Sequence, residues 1–354
     1  MQKLCLFFIL FLPISAIAET DAELALNTVL NNVRTQCSGI SAELEPLKKM
    51  ASIGTVVNAA GTAAGVGGVV SGIAKSETDK NIAYDMGQKH GIELLKEQLK
   101  AKELSTENQE ALANFQKMAT TFNWKQIEQD LNKLSNDLDE QEEQKYLQEL
   151  EQKESETQKK INENQNKSDT YGNIRTGLFA ANTATNVAGA IVSSKTNIST
   201  TLQEKIKACT ESVNTLRNTM MQYRVESSEN INTGLLSKSE QIVSKCGEYQ
   251  YIDTESLNKL ARGATISGTV GAVTGAAATI SSISGTTNKL SNVDLTNANS
   301  IQEINKIENM NTASNVLGGV TAATSLTGTI LNATQIKKIK DIVPISNECE
   351  GALK

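Results

Sequence analysis

Residues 52–74 read SIGTVVNAAGTAAGVGGVVSGIA, a stretch without charge, proline or aromatic ring. The glycines from Gly54 to Gly72 each cost a helix roughly 1 kcal/mol relative to alanine, so an isolated helix is not expected here. Close approach of a second backbone offsets that cost, and Gly61 with Gly65 and Gly68 with Gly72 have the GxxxG spacing that permits it. The Val and Ile content sets the stretch apart from a flexible Gly/Ser/Thr linker. A β-rich, aggregation-prone segment is the competing secondary-structure reading for the related TISGTVGAVTG at 265–275.

Heptad spacing extends from this stretch in both directions. Leu26, Leu30, Val33, Cys37, Ile40, Leu44, Leu47, Ala51, Gly54, Asn58, Gly61, Gly65, Gly68 and Gly72 alternate steps of four and three, which predicts one coiled-coil seam. Its first part is built of large residues and its last part of glycine, so the partner helix is expected to come closer toward the end. Pro46 is the expected kink. Leu202, Ile206, Cys209, Val213, Leu216, Met220 and Tyr223 keep the same alternation on a second arm.

Three further stretches share the low charge and small side chains: GLFAANTATNVAGAIVSS from Gly177, TISGTVGAVTGAAATISSISG from Thr265 and ASNVLGGVTAATSLTGTILNA from Ala313. Gly54, Val56, Gly61 and Ala63-Ala64 align with Gly268, Val270, Gly275 and Ala277-Ala278. The second and fourth stretches resemble each other more loosely. Cys37 and Cys246 each precede a stretch of the first type, whereas Cys209 and Cys349 each follow one of the second. The order predicts an internal duplication of a helical hairpin. One half covers 19–225, with a charged coiled-coil insert at about 76–170, and the other covers 239–354. Gly54, Gly61, Gly65, Gly68, Gly72, Gly268, Gly271 and Gly275 are the expected helix-packing positions. The same duplication selects Cys37–Cys209 and Cys246–Cys349 among the three possible pairings of four cysteines.

The chain opens with Lys3, an apolar run from Leu4 to Leu12 and the small residues Ala16-Ile17-Ala18, the features of a secretory signal peptide over 1–18. Cys5 lies at the front of the apolar run rather than just after it, which is the wrong place for a lipid-anchoring cysteine. Export places the remaining cysteines where disulfides persist. The formal net charge of −6, one unit more negative without Lys3, disfavours nucleic acid as a partner. Only 4% of residues are aromatic and three are proline, a composition that favours long helices over sheets. The expected fold is all-α, with long antiparallel helical hairpins and glycine-zipper-like packing. That packing motif is short, recurs on unrelated chains and transfers no function.

The insert has a different chemistry. Ile127, Leu131, Leu134 and Leu138 keep one heptad phase, and Leu147, Leu150, Thr157 and Ile161 keep another, with DEQEEQ between them. The phase change predicts a charged coiled coil with a break in register. Its acidic cluster lacks the glycine and ligand spacing of a calcium loop and reads as a solvated face. Ala111 to Trp124 is more apolar and is expected to fold back on the arms, with Trp124 as a packing residue.

No catalytic constellation is evident. His90 is the only histidine, which rules out sites built from two or three imidazoles, and its neighbours Lys89 and Gly91 suggest an exposed helix position. Neither GxSxG nor GxxxxGK occurs. Gly65-Val66-Gly67-Gly68 imitates a dinucleotide fingerprint, but Val70 replaces its last glycine. No cofactor, metal or small-molecule substrate is expected. The leading functional expectation is an exported, periplasmic or secreted, structural or interaction protein that meets a protein partner, or itself, through coiled-coil contacts. The alternative is a membrane-inserting pore, translocator or toxin component that uses the four small-residue helices. Against it, Asn58, Asn182, Asn186 and the many Ser and Thr lower the hydrophobicity of those helices.

Overall fold

The computed structural model describes residues 21–101, 140–226, 231–295, 297 and 299–354. The expected signal peptide, the segment from Ala111 to Trp124 and the first heptad phase at Ile127, Leu131, Leu134 and Leu138 lie outside these residues.

The described chain is all-helical. Its α-helices are α1 (Asp21–Cys37), α2 (Ile40–Ala101), α3 (Glu140–Ser194), α4 (Thr200–Glu226), α5 (Thr233–Cys246), α6 (Thr254–Thr287) and α7 (Ser300–Leu353). Short 3-10 turns occupy Gly247–Tyr251 and Leu290–Asn292. Local signals account for several ends. Asp21 and Glu23 lie in the first turn of α1 and Arg34 in its last, which complements the helix dipole. Ser199 Oγ accepts from the Leu202 amide at 3.0 Å before α4, and Asn232 Oδ1 accepts from the Leu235 amide at 3.1 Å before α5. Both satisfy an amide that the first helical turn leaves open.

The chain divides into two compact units, and each sequence half contributes to both. Of the described residues, the first comprises 21–48 together with 198–226, 231–257 and 337–354. Its core joins Leu26, Leu30 and Val33 of α1 to Leu202, Ile206, Val213, Leu216 and Tyr223 of α4, and to Ile339 and Ile342 of α7. Every expected seam position on α1 and α4 is buried. The seam is nevertheless not one helix. The chain breaks at Ser38 and Gly39, where Gly39 adopts a left-handed φ of 76°, a conformation that glycine adopts without steric cost. The step of three from Cys37 to Ile40 conceals the break, because it is also the step a continuous heptad would take. Pro46 lies inside α2, which runs through it uninterrupted.

The second unit comprises the described residues within 49–101, 140–197 and 258–336. Here parts of α2, α3, α6 and α7 meet through their small residues. Gly61, Gly68 and Gly72 of α2 abut Thr185, Phe179 and Arg175 of α3, while Gly54, Gly65 and Gly72 abut Asn332, Ala322 and Asn315 of α7. Partner numbers fall as α2 numbers rise, so α2 runs opposite to both neighbours. On α6, Gly268, Gly271 and Gly275 meet Ala190, Asn186 and Thr183 of α3 in the same opposed sense.

Beyond the glycine-rich part, the second unit has a conventional apolar core. Ile82, Met86, Ile92, Leu94 and Leu95 of α2 pack with Leu150 and Ile161 of α3 and with Leu290, Val293, Leu295, Ile304 and Ile307. Described flanks of the charged insert therefore supply core residues. The expected exposure of His90 is corrected as well. His90 is buried, because it shares the inward side of α2 with Met86 and Leu94, and the neighbouring Lys89 and Gly91 say little about which side a given position faces.

Candidate functional site

The small-residue part of the second unit reverses the usual distribution of polar and apolar groups. Asn58, Asn182, Asn186 and Asn332 have no exposed surface, and Ser193, Ser282, Ser314, Thr321 and Ser325 are buried beside them. Ser325 Oγ lies 3.1 Å from Asn182 Oδ1 and 3.0 Å from Asn186 Oδ1. Asn332 Nδ2 donates to Ser193 Oγ at 3.1 Å. Toward one end, Lys75 Nζ meets Asp79 Oδ2 at 2.5 Å, and Asn311 Nδ2 donates to the same oxygen at 2.8 Å. Arg175 is fully buried and its Nε donates to Ser282 Oγ at 2.8 Å. The amide oxygen and nitrogen of Asn58 find no hydrogen-bond partner among the described residues.

The outward surface is apolar. From Ile53 to Ile73 the exposed positions of α2 are Ile53, Val56, Ala59, Ala60, Ala63, Val66, Val70 and Ile73. On α3 they are Ile174, Gly177, Ala180, Ala181, Ala184, Val187 and Ile191. On α6 they are Ile266, Thr269, Val270, Val273, Ala276, Ile280 and Ile283, and on α7 Ala313, Val316, Val320, Ala323, Leu326, Thr327, Ile330 and Ala333. The two threonines donate to their own helices, Thr269 Oγ1 to the Thr265 carbonyl at 2.9 Å and Thr327 Oγ1 to the Ala323 carbonyl at 3.0 Å. No charge interrupts these stripes. At 1.5 Å per residue each covers ~25–30 Å, close to the hydrocarbon thickness of a bilayer.

Two helical regions are long and apolar enough to cross a membrane by length and composition, one within residues 21–97 and the other in α6. Of their apolar windows 28% and 33% is buried. α3 and α7 fall below that apolarity because of their Asn, Ser and Thr, and many of those side chains point inward. Averaging along a helix thus hides a difference between its faces.

All eight glycines expected at helix contacts lie against a neighbouring helix. A Cβ added at Gly54 would come within 2.8 Å of Asn332 Nδ2, at Gly61 within 2.6 Å of Thr185 Oγ1, at Gly268 within 2.8 Å of the Ala190 amide nitrogen and at Gly275 within 2.6 Å of Thr183 Oγ1. Gly65, Gly68, Gly72 and Gly271 are closer still to Asn182, Phe179, Asn315 and Asn186. Sequence reasoning missed Gly189 and Gly328, which face Asn58 from α3 and α7, and Gly318, which faces Phe179. Their signal was the pairing of a glycine on one helix with a bulky inward side chain on another, which spacing within one helix does not reveal.

The expected cysteine pairs are the ones present, Cys37–Cys209 and Cys246–Cys349, and all four residues are buried. The sulfurs of Cys37, Cys209 and Cys349 lie within 4.8 Å of one another. Among the described residues no other group of His, Cys, Asp or Glu has donor atoms gathered closely enough to hold a metal ion. His90 Nδ1 lies 3.8 Å from Glu93 Oε2. The nearby His90 imidazole, helped by Lys89, holds the Glu93 carboxyl below its ordinary range against the opposing effect of burial. The surrounding cleft is lined by Met86, Ile161, Val293 and Leu295 together with Lys89, Ser291 and Asp294. Comparison of the chain with protein-family models, curated proteins and solved structures finds no match.

Proposed function

We propose that this is an exported, non-enzymatic protein that inserts its small-residue helices into a lipid bilayer and displays its remaining helices to a partner. The observation that carries the reading is the outward surface of α2, α3, α6 and α7. Valine, isoleucine and alanine cover it for about one hydrocarbon thickness, while amide and hydroxyl groups are held inside. A water-soluble bundle gains stability by the opposite arrangement, since apolar surface left in water forgoes roughly 25 cal/mol per Å².

The closely apposed glycines support glycine-zipper-like packing of antiparallel helices, the means by which helices associate where lipid supplies no hydrophobic drive between them. Contacts between residues 139 positions apart support an internal duplication. Two buried disulfides are compatible with export. A water-soluble interaction protein built on coiled-coil contacts is the second reading, favoured by the apolar seam of the first unit. Alkaline carbonate extraction of native membranes separates the two. The bilayer reading expects the protein to stay in the membrane pellet, and quantitative release with the soluble fraction rejects it.

A further inference from the structure

Outward positions one helical turn past the apolar stripes differ at their two ends. On α2 the stripe begins at Ile53, and Lys49 stands four residues before it. On α6 it begins at Ile266, with Arg262 four before. On α3 it ends at Ile191, and Lys195 follows by four in the turn that closes the helix. A step of four along a helix returns to the same face about 6 Å further on. These three positions belong to one end of the stripes, because Asn58 of α2 lies beside Gly189 of α3 and Gly268 of α6 lies beside Ala190. All three are exposed, and among the described residues no carboxylate pairs with any of them. At the other end the matching outward positions are Glu77, Thr170, Thr287 and Asn309, none of them cationic.

We propose that Lys49, Lys195 and Arg262 form a collar that binds the phosphate groups of anionic phospholipids in the leaflet at that end. The inference rests on the bilayer reading above. A lysine or arginine one turn outside an apolar stripe can lay its aliphatic stem along the hydrocarbon edge and hold its charge at headgroup depth. Each cation near an anionic surface contributes enough to raise partitioning about fivefold. At the far end the outward cations Lys80, Lys167 and Lys306 stand two turns rather than one past the stripes, so the collar assigns the anionic leaflet to the end nearest Lys49.

The test compares binding of the mature, disulfide-bonded chain to vesicles of phosphatidylcholine alone and of phosphatidylcholine mixed with phosphatidylglycerol, read by flotation at neutral pH and low salt. Phosphatidylglycerol is expected to raise the bound fraction about tenfold or more, and high salt to remove the gain. A variant with Lys49→Gln, Lys195→Gln and Arg262→Gln is expected to bind phosphatidylcholine as before and to lose the gain, with helix content unchanged by circular dichroism. A control with Lys80→Gln, Lys167→Gln and Lys306→Gln at the other end is expected to keep it. Equal binding to both vesicles overturns the collar and leaves the bilayer reading standing. A collar variant that keeps the gain, or a control that loses as much, overturns it too. Binding to neither vesicle rejects the bilayer reading and the collar with it.

Discussion

Gln335 Nε2 donates to the Thr196 carbonyl at 2.9 Å, and Thr196 Oγ1 donates back to Gln335 Oε1 at 3.0 Å, across 139 positions of the chain. Ser193 with Asn332 and Asn186 with Ser325 repeat that separation. A constant separation means that α3 and α7 run side by side in the same direction with corresponding residues touching. Gly189 and Gly328 are likewise 139 apart, and both face the one side chain of Asn58.

This convergence on Asn58 yields a thermodynamic cycle. A Cβ at position 328 would come within 2.7 Å of Asn58 Nδ2 and 3.2 Å of Asn58 Cγ, so Gly328→Ala is expected to destabilise the protein by about 1–3 kcal/mol through overpacking. In an Asn58→Ala background the obstructing atoms are gone, and the same substitution is expected to be nearly neutral. Chemical denaturation of the four proteins measures the coupling. Additive effects would show that Gly328 and Asn58 do not share the contact.

Much of this arrangement was legible in the sequence. The heptad steps located the buried side of α1 and α4, and the small-residue stretches located the close contacts of α2 and α6. Three things were not legible, each for a physical reason. The helix break at Gly39 preserves the heptad count across it. The burial of His90 depends on which side of α2 meets residues 290–295, a contact remote in sequence. The apolar outward surface was hidden because hydropathy along a segment averages Asn58 and Gly61 with Val56 and Val66, although the first pair faces inward and the second outward.

Val273 lies near the middle of the outward stripe on α6 and is 68% exposed. In water Val273→Lys is expected to leave stability within about 0.5 kcal/mol, as surface changes usually do. In a bilayer the same lysine costs about 3 kcal/mol at mid-depth. Binding to phosphatidylcholine vesicles is therefore expected to fall roughly a hundredfold while the melting temperature in solution holds. Unchanged vesicle binding would remove α6 from the lipid contact.

Alkaline pH is expected to act on the first unit through Tyr249. Burial pushes its phenol up to about 12 from an ordinary 10.0, with Glu350 adding to the rise and the hydrogen bond to Ser346 opposing it. Because the folded-state value is the higher one, the fold favours the neutral phenol. That contribution is complete below about pH 10 and is lost as pH rises toward 12, a loss of about 2–3 kcal/mol. Tyr249→Phe is expected to cost about 1 kcal/mol near neutrality, through the missing hydrogen bond to Ser346 Oγ, and to flatten the alkaline decline. Denaturation midpoints measured across this range check the sign, and an identical decline in both proteins would assign it to other groups.

The two disulfides lie close enough to exchange. Cys349 Sγ is within 4.8 Å of both Cys37 Sγ and Cys209 Sγ. In a Cys246→Ser variant, Cys349 loses its partner and its thiolate faces an intact neighbouring disulfide. Attack on Cys37 Sγ forms Cys37–Cys349, breaks Cys37–Cys209 and leaves the electron pair on Cys209 as thiolate. Attack on Cys209 Sγ leaves it on Cys37 instead, and neither route needs an external oxidant. Burial of all three residues slows entry of other thiols but not this internal step. Peptide mapping without reduction, after alkylation at mildly alkaline pH, is expected to find Cys349 joined to Cys37 or Cys209 in a substantial share of molecules. The parent protein is expected to yield only Cys37–Cys209 and Cys246–Cys349. The Cys37–Cys209 bond closes a loop of 172 positions, worth about 5 kcal/mol on the chain-entropy account. A loop from Cys37 to Cys349 would be longer still and constrain the unfolded chain slightly more. Chain entropy therefore does not hold the native pair in place, and native geometry must favour it if Cys349 stays free. A variant that retains Cys37–Cys209 and alkylates only at Cys349 would show that geometry, rather than sulfur proximity, decides the pairing.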